Sequence, residues 1–459
     1  MLEVSTVRIF SFLMILVVAF LLLLIFYFLE KGKGLPHRRF WLLGKELDEQ
    51  RPKKISKDKE RTFLGVTDSK KKVYISNEAK HVFVCGTTGS GKTVALSNFI
   101  ESAFSYDYPM LLLDGKGDTG KGSILDITRT LAGDKKVYVI DLNNPEASDK
   151  YNPFNNTNAD IIKDMLINMT NWSEEHYKYN TEVYIQALCN LLEHSGIKIS
   201  FDSIMENLNY DNFVLLSKSV SEQGLIPKEE HFKNLDLAKT GSQIASGASA
   251  RFNVIKQSRL GQIFHEDGID VHTAMQENAC IVFILSPLIY PELSPLIGRL
   301  VIIDAKKAVN GLYENKKNRV FYIMDEINVY ASNNMLDLVN KSRSANVTCV
   351  LAAQSLSDLE AVSGEAFREQ IIENCNNYIL LRQNSPKNAE NWAKVFGTRQ
   401  AMKYTSKIAD DEMTSEGSVR QVHEYLYHPD NIKRLAVGKA IFMSRDEDFH
   451  TKINVNKPF

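Results

Sequence analysis

Residues 86–93 read Gly86-Thr87-Thr88-Gly89-Ser90-Gly91-Lys92-Thr93 and fill the pattern G-x-x-x-x-G-K-[ST] at every position. Glycines at this spacing let successive backbone N–H groups point into one concavity, which receives phosphate oxygens at a helix N-terminus. In that arrangement the lysine, Lys92, reaches the β- and γ-phosphates, and the Thr93 hydroxyl holds Mg²⁺. A glycine-rich turn can imitate the pattern. Here an apolar run, His81-Val82-Phe83-Val84-Cys85, leads into it, and Val94-Ala95-Leu96 begins a helical stretch after it. Both flanks are those a phosphate cradle needs, so ATP and Mg²⁺ are the implied ligands.

Hydrolysis requires a carboxylate near the metal and a group that orients water. The apolar run Val320-Phe321-Tyr322-Ile323-Met324 ends in Asp325-Glu326. Asp325 is expected to hold Mg²⁺ through its water shell, and Glu326 to poise the attacking water. The next strand-like run, 348–353, ends at Gln354-Ser355. An amide there can sense the γ-phosphate, or it can simply cap the strand. Arg343 lies between these two runs and is a candidate to reach a neighbouring subunit's nucleotide; a lone arginine also serves as a solvated surface residue. Arg251 and Arg382 are weaker candidates of the same kind.

The elements that must position these residues alternate. Apolar strand-like runs occur at 110–114, 137–141, 279–285, 320–324, 347–351, 378–381 and 439–443, with helical spacing between most of them. That alternation predicts an α/β fold with a parallel sheet. Between about 155 and 260 the texture is helical with few β-branched runs, which predicts an all-α insertion splitting the sheet domain in sequence. The expected organisation is an anchor at 1–30, a juxtamembrane linker with short strands at 31–75, sheet domain at 76–154, insertion at 155–260, and the rest of the sheet domain at 261–459.

With 459 residues, 44% hydrophobic and 24% charged, the chain has the composition of a globular protein. Its net charge of −1 lacks the basic excess that marks many nucleic-acid binders. The 5 cysteines are scattered without C-x-x-C spacing, which argues for buried free thiols and against a zinc site. Residues 9–29 are apolar and uncharged, roughly 32 Å long as a helix and enough to cross a bilayer core. No small-residue cleavage site follows. Lys31, Lys33, Arg38 and Arg39 come directly after the run, which places the remainder of the chain in the cytoplasm by the positive-inside rule. The expectation is a single-pass plasma (inner) membrane protein, N-terminus outside.

In this order the motifs resemble one family, the coupling proteins of type IV secretion systems, the conjugative DNA-transfer ATPases of the TraD and TraG type. The resemblance runs from about 80 to 442. It is carried by the glycine-rich loop, Leu113-Asp114-Gly115-Lys116-Gly117-Asp118, Tyr151-Asn152-Pro153-Phe154, Asp325-Glu326, Ser342-Arg343-Ser344, Leu351-Ala352-Ala353-Gln354-Ser355 and the closing segments near 371–375 and 432–440. It implies a RecA-like P-loop NTPase core, Asp114 at the nucleotide edge, and Arg343 acting across a subunit boundary. It also implies a homo-hexameric ring, non-sequence-specific binding of single- or double-stranded DNA, and docking of relaxase or relaxosome on the secretion channel. The expected departures from the family are one membrane segment where two are common, Gly115 where proline is usual, and the lack of a long tail after Phe459.

Three other readings share parts of this pattern. A coupling ATPase for protein effectors would keep the same motor. A septal-type DNA pump would add membrane spans and a winged-helix tail. A nucleotide-binding scaffold would need neither Glu326 nor Arg343.

Overall fold

A computed structural model describes residues 60–459, apart from 79–80, 170–171, 173, 313–318 and 410–411; the side chains of 242–249, 251 and 404–419 are also outside the description. The expected membrane segment at 9–29 and most of the linker after it lie outside the described residues. Among the described residues no helix is long and apolar enough to cross a membrane.

An 11-stranded sheet organises the chain, in the order β2-β1-β13-β12-β9-β3-β8-β7-β4-β6-β5. Its centre is the parallel block forecast by the alternation. The strands are β3 (Val82–Cys85), β4 (Met110–Asp114), β5 (Val137–Asp141), β6 (Cys280–Ile284), β7 (Val320–Asp325), β8 (Val347–Ala353) and β9 (Asn377–Leu380). β3, β4, β6, β7, β8 and β9 are buried throughout, as continuous apolar runs must be when helices cover both faces of a sheet. Antiparallel strands extend it: β12 (Lys439–Ser444) pairs with β9, β13 (Phe449–Val455) with β12, β1 (Arg61–Val66) with β13, and β2 (Lys72–Ser76) with β1. The two short strands read as part of a linker are thus the outer edge of the main sheet.

On one face α1 (Lys92–Ser105) packs Leu96, Phe99 and Ile100 onto the sheet, joined by Leu125 of α2 (Ile124–Ala132). Each such fully buried side chain contributes about 1.5–3 kcal/mol from the removal of apolar surface from water. The opposite face is one continuous core that runs on into a helical lobe. The lobe lies between β5 and β6 in the chain and comprises α3 (Ala159–Asn168), α4 (Glu175–Ser195), α5 (Phe201–Asn207), α6 (Tyr210–Glu222) and α7 (Lys228–Gln257). In α4 the buried residues Thr181, Tyr184, Ile185, Leu188, Leu191 and Leu192 follow helical spacing. After the lobe come α8 (Val271–Gln276) and α9 (Leu293–Leu312).

Where the chain enters and leaves the lobe, polar groups take over. Tyr151 bridges both Phe264 and Ile269, and its hydroxyl donates to Asp304 Oδ2 at 3.0 Å. Lys307 donates to the carbonyls of Pro153 and Asn155, each at 2.7 Å, and lies 2.9 Å from carboxylates of both Asp270 and Asp304. The Asp270 and Asp304 side chains are fully buried. Asn152 closes the joint by donating to the carbonyls of Ile199 and Glu266. The segment Tyr151-Asn152-Pro153-Phe154 therefore fastens the lobe to α9.

The remaining helices are α10 (Asn333–Ser342), α11 (Leu356–Asn374), α12 (Pro386–Phe396) and α13 (Pro429–Lys433). Between α12 and α13 stands a two-stranded ribbon, β10 (Thr398–Ala409) with β11 (Glu412–Tyr425), that pairs with no other strand. None of its described residues is buried.

Candidate nucleotide-binding and hydrolysis site

All the sequence-derived site residues except Arg343 gather at the C-terminal ends of adjacent parallel strands. In the order β3, β8, β7, β4, these ends carry the glycine-rich loop, Gln354, Asp325-Glu326 and Asp114. A crevice outside the carboxyl ends of a parallel sheet is where such folds bind ligands.

The loop is fixed by its neighbours. Gly86 N–H donates to Ala353 O at 3.2 Å, Thr87 N–H to Arg382 O at 3.0 Å, and Gly438 N–H reaches Ser90 O at 3.1 Å. A Cβ on Gly86 would lie 2.6 Å from Ser90 Oγ and 2.7 Å from Leu381 Cβ, so only glycine fits. Gly91 caps α1 at φ 111°, and the first-turn N–H groups behind it have no intrahelical acceptors. A cleft of about 580 Å³ opens over the loop and is lined among others by Lys92, Thr93, Lys116, Asp325, Glu326 and Gln354.

Lys92 Nζ donates to Glu326 Oε1 at 2.7 Å, and Gln354 Nε2 donates to the same oxygen at 3.2 Å. Both partners of the ion pair are largely buried. Glu326 adopts φ 49° and ψ 52°, the left-handed region that side chains with a Cβ rarely occupy. Asp325 Oδ1 accepts from the Glu326 N–H at 2.9 Å. Tyr330, which the sequence did not flag, donates its buried hydroxyl to Asp325 O at 2.9 Å and to Leu113 O at 3.3 Å, tying β7 to β4.

Asp114 and Asp325 stand side by side in register on β4 and β7. Burial first, and the Asp325 charge second, push Asp114 up to about 7; burial and the Glu326 charge push Asp325 up to about 6. Two buried carboxylates in this state are the environment that a hard divalent cation relieves. Among the described residues no three histidine, cysteine or carboxylate side chains cluster so as to hold a metal ion between them. That suits Mg²⁺, which keeps waters and substrate phosphate oxygens in its shell and takes one or two protein oxygens. Thr93 and Asp325 line the cleft and could supply such oxygens, with Asp114 beside Asp325 in register.

Arg343 is elsewhere. It is exposed and precedes the start of β8, whereas Gln354 follows its end. At about 3.3 Å per residue the strand separates it from its own cleft by roughly 20 Å or more. Arg382, by contrast, flanks the cradle at the end of β9, and its carbonyl also accepts from Thr87 Oγ1 at 3.3 Å. The Arg251 side chain lies outside the description. Asn328, Leu288 and Val437 line the cleft without having been singled out from the sequence. Asn328, only two residues past Glu326, was the one within reach of motif reasoning.

The chain matches two family models. Residues 319–437 match that described as the TraM recognition site of TraD and TraG, and residues 47–136 match the FtsK/SpoIIIE family. An uncharacterized protein of Mycoplasma pneumoniae is 30% identical over 101 residues, which is 22% of this chain and 67% of that protein. Among solved structures, the bacterial conjugative coupling protein TrwBdeltaN70, in its unbound monoclinic form, superposes with a TM-score of 0.65. It has 17% identity and covers 88% of this chain and 90% of its own. The plasmid coupling protein TrwB in complex with ADP and Mg²⁺ gives a TM-score of 0.61 at 17% identity, over 89% and 97%. The fold is thus that of TrwB, a RecA-like α/β sheet, with the coupling-protein model matched across β7 to the loop before β12. The chain has the fold of the coupling protein TrwB, matches the TraD and TraG model over its later part, and is a P-loop NTPase.

Proposed function

We propose that the chain is a membrane-anchored ATPase that recruits relaxase–DNA substrate and helps drive it to a type IV secretion channel in conjugation. Lys92 and the loop from Gly86 to Thr93 hold the ATP phosphates, Thr93 and Asp325 hold Mg²⁺, and Asp114 supports them. Glu326 poises the attacking water and Gln354 reports the γ-phosphate. The observation that carries the motor reading is the division of this set. Lys92, Glu326 and Gln354 meet in one cleft, while the exposed Arg343 sits beyond the opposite, N-terminal end of β8. A ring of six copies would bring that end to a neighbour's nucleotide.

The match to the TraM recognition site supports contact with the relaxosome, and the apolar run at 9–29 supports a single-pass anchor in the plasma membrane. The FtsK/SpoIIIE match covers the glycine-rich loop and its surroundings, which a DNA pump and a coupling protein share. The test is ATP hydrolysis by the full chain in detergent, with and without single- and double-stranded DNA. Strong stimulation that falls with salt supports the DNA motor. Hydrolysis indifferent to DNA transfers the reading to protein-effector coupling.

A further inference from the structure

Beyond the pair formed by Glu326 Oε1, two acceptors on residues that line the cleft are left over. Glu326 Oε2 and Asn328 Oδ1 are both buried, and neither has a hydrogen-bond donor among the described residues. Both residues line the same cleft, two positions apart on the turn that follows β7. A buried acceptor without a donor costs about 1–3 kcal/mol, so two of them on one wall call for a ligand that donates twice. The nearby cations are otherwise engaged or distant: Lys92 is turned to Oε1, Lys116 Nζ lies 3.0 Å from Asp118, and Arg343 lies beyond the N-terminal end of β8. Glu326 opens this turn in the left-handed region.

We infer that Asn328 Oδ1 and Glu326 Oε2 together grip the attacking water, each accepting one of its two O–H bonds. The inference rests on the ATPase reading and adds a residue to it. In the step, the water oxygen bonds to the γ-phosphorus, and the bond from that phosphorus to the β–γ bridging oxygen breaks, its electron pair leaving with ADP. One water proton passes to Glu326 Oε2 and is later released to solvent. The other stays on the new phosphate, held at Asn328 Oδ1 until release. An acceptor is what the position requires, since a donor at Asn328 would compete for the water's lone pairs, which must face phosphorus.

The experiment compares the wild-type chain with Asn328→Ala and Asn328→Asp. Aspartate keeps an acceptor oxygen, and alanine removes it. Asn328→Ala should lower kcat about tenfold or more while leaving Mg²⁺–ADP affinity and melting temperature unchanged. It should also lose trapping of ADP by aluminium fluoride, a mimic that retains an in-line water. Asn328→Asp should restore kcat to within a few-fold and restore trapping, with a higher KM from its added charge. Unchanged kcat and trapping in Asn328→Ala, or an aspartate variant as poor as alanine, overturns the inference. Weakened Mg²⁺–ADP binding in Asn328→Ala overturns it as well, because the residue would then serve the metal. A wild-type chain without turnover defeats the ATPase reading itself, a result distinct from all of these.

Discussion

Lys92 Nζ and Glu326 Oε1 are 2.7 Å apart in a buried ion pair. The residue expected to bind phosphate and the residue expected to hold water thus neutralise one another. ATP must separate them, and only then is Glu326 free to act. Removing the Glu326 charge releases Lys92 in advance. Glu326→Gln should therefore abolish turnover yet bind ATP at least as tightly as wild type, by up to about tenfold, or about 1.4 kcal/mol. Titration with a fluorescent ATP analogue beside steady-state hydrolysis checks both halves. Lys92→Ala should lose binding and turnover together. Retained hydrolysis in Glu326→Gln would sink the role given to that carboxylate.

The distance of Arg343 from its own cleft makes a prediction about partners. Arg343→Ala should lose hydrolysis with nucleotide affinity nearly unchanged, because the arginine touches nothing in its own site. Mixing Arg343→Ala subunits with Lys92→Ala subunits should recover part of the activity, since some boundaries then pair an intact cradle with an intact arginine. No recovery at any ratio argues against action in trans.

Stability in mild acid should depend on one histidine. His81 is buried before β3, donates from Nε2 to Val339 O at 2.6 Å and accepts from the Cys349 N–H at Nδ1 at 3.0 Å. Burial, and less so the Arg343 charge, lower its pKa to about 4 from the usual 6.5. The unfolded chain takes up the proton first. The stability this group provides is full above pH 6.5 and is lost as pH falls toward 4, about 2 kcal/mol of it by pH 5. Urea unfolding at pH 7 and pH 5 should show that loss in wild type and a smaller one in His81→Gln. Equal losses in the two proteins would count against it.

Lys307 holds two buried carboxylates and two carbonyls at the root of the lobe. Lys307→Met leaves those carboxylates buried and unpaired and should cost about 3–5 kcal/mol. Amide exchange should rise first at 151–155 and 264–270. Adding Asp304→Asn should recover part of the loss. A single variant as stable as wild type would show that water replaces the ammonium.

The parallel block and its cleft were legible because strands buried on both faces must be apolar throughout, as Leu111-Leu112-Leu113 and Phe321-Tyr322-Ile323 are. The motif residues at their ends needed only that placement. The ribbon was not legible. None of its described residues is buried, and Lys403 stands directly opposite Arg420, a pairing that cross-strand preference does not anticipate. Helix α7 falls within the insertion expected to be all helical, but its mostly polar sequence did not mark it out as a span of its own. Nor could spacing show that Lys92 rests on Glu326, since the contact spans 234 positions of chain.

Tyr151 lies against both Phe264 and Ile269, so the chain departs for the lobe and comes home through one narrow waist. A segment whose two ends meet can be exchanged like a cassette, without re-threading the sheet that holds it. Selection on the lobe and selection on the nucleotide-binding core can then proceed at different speeds. A lobe taken from another protein of this fold and spliced at this waist would inherit the same core.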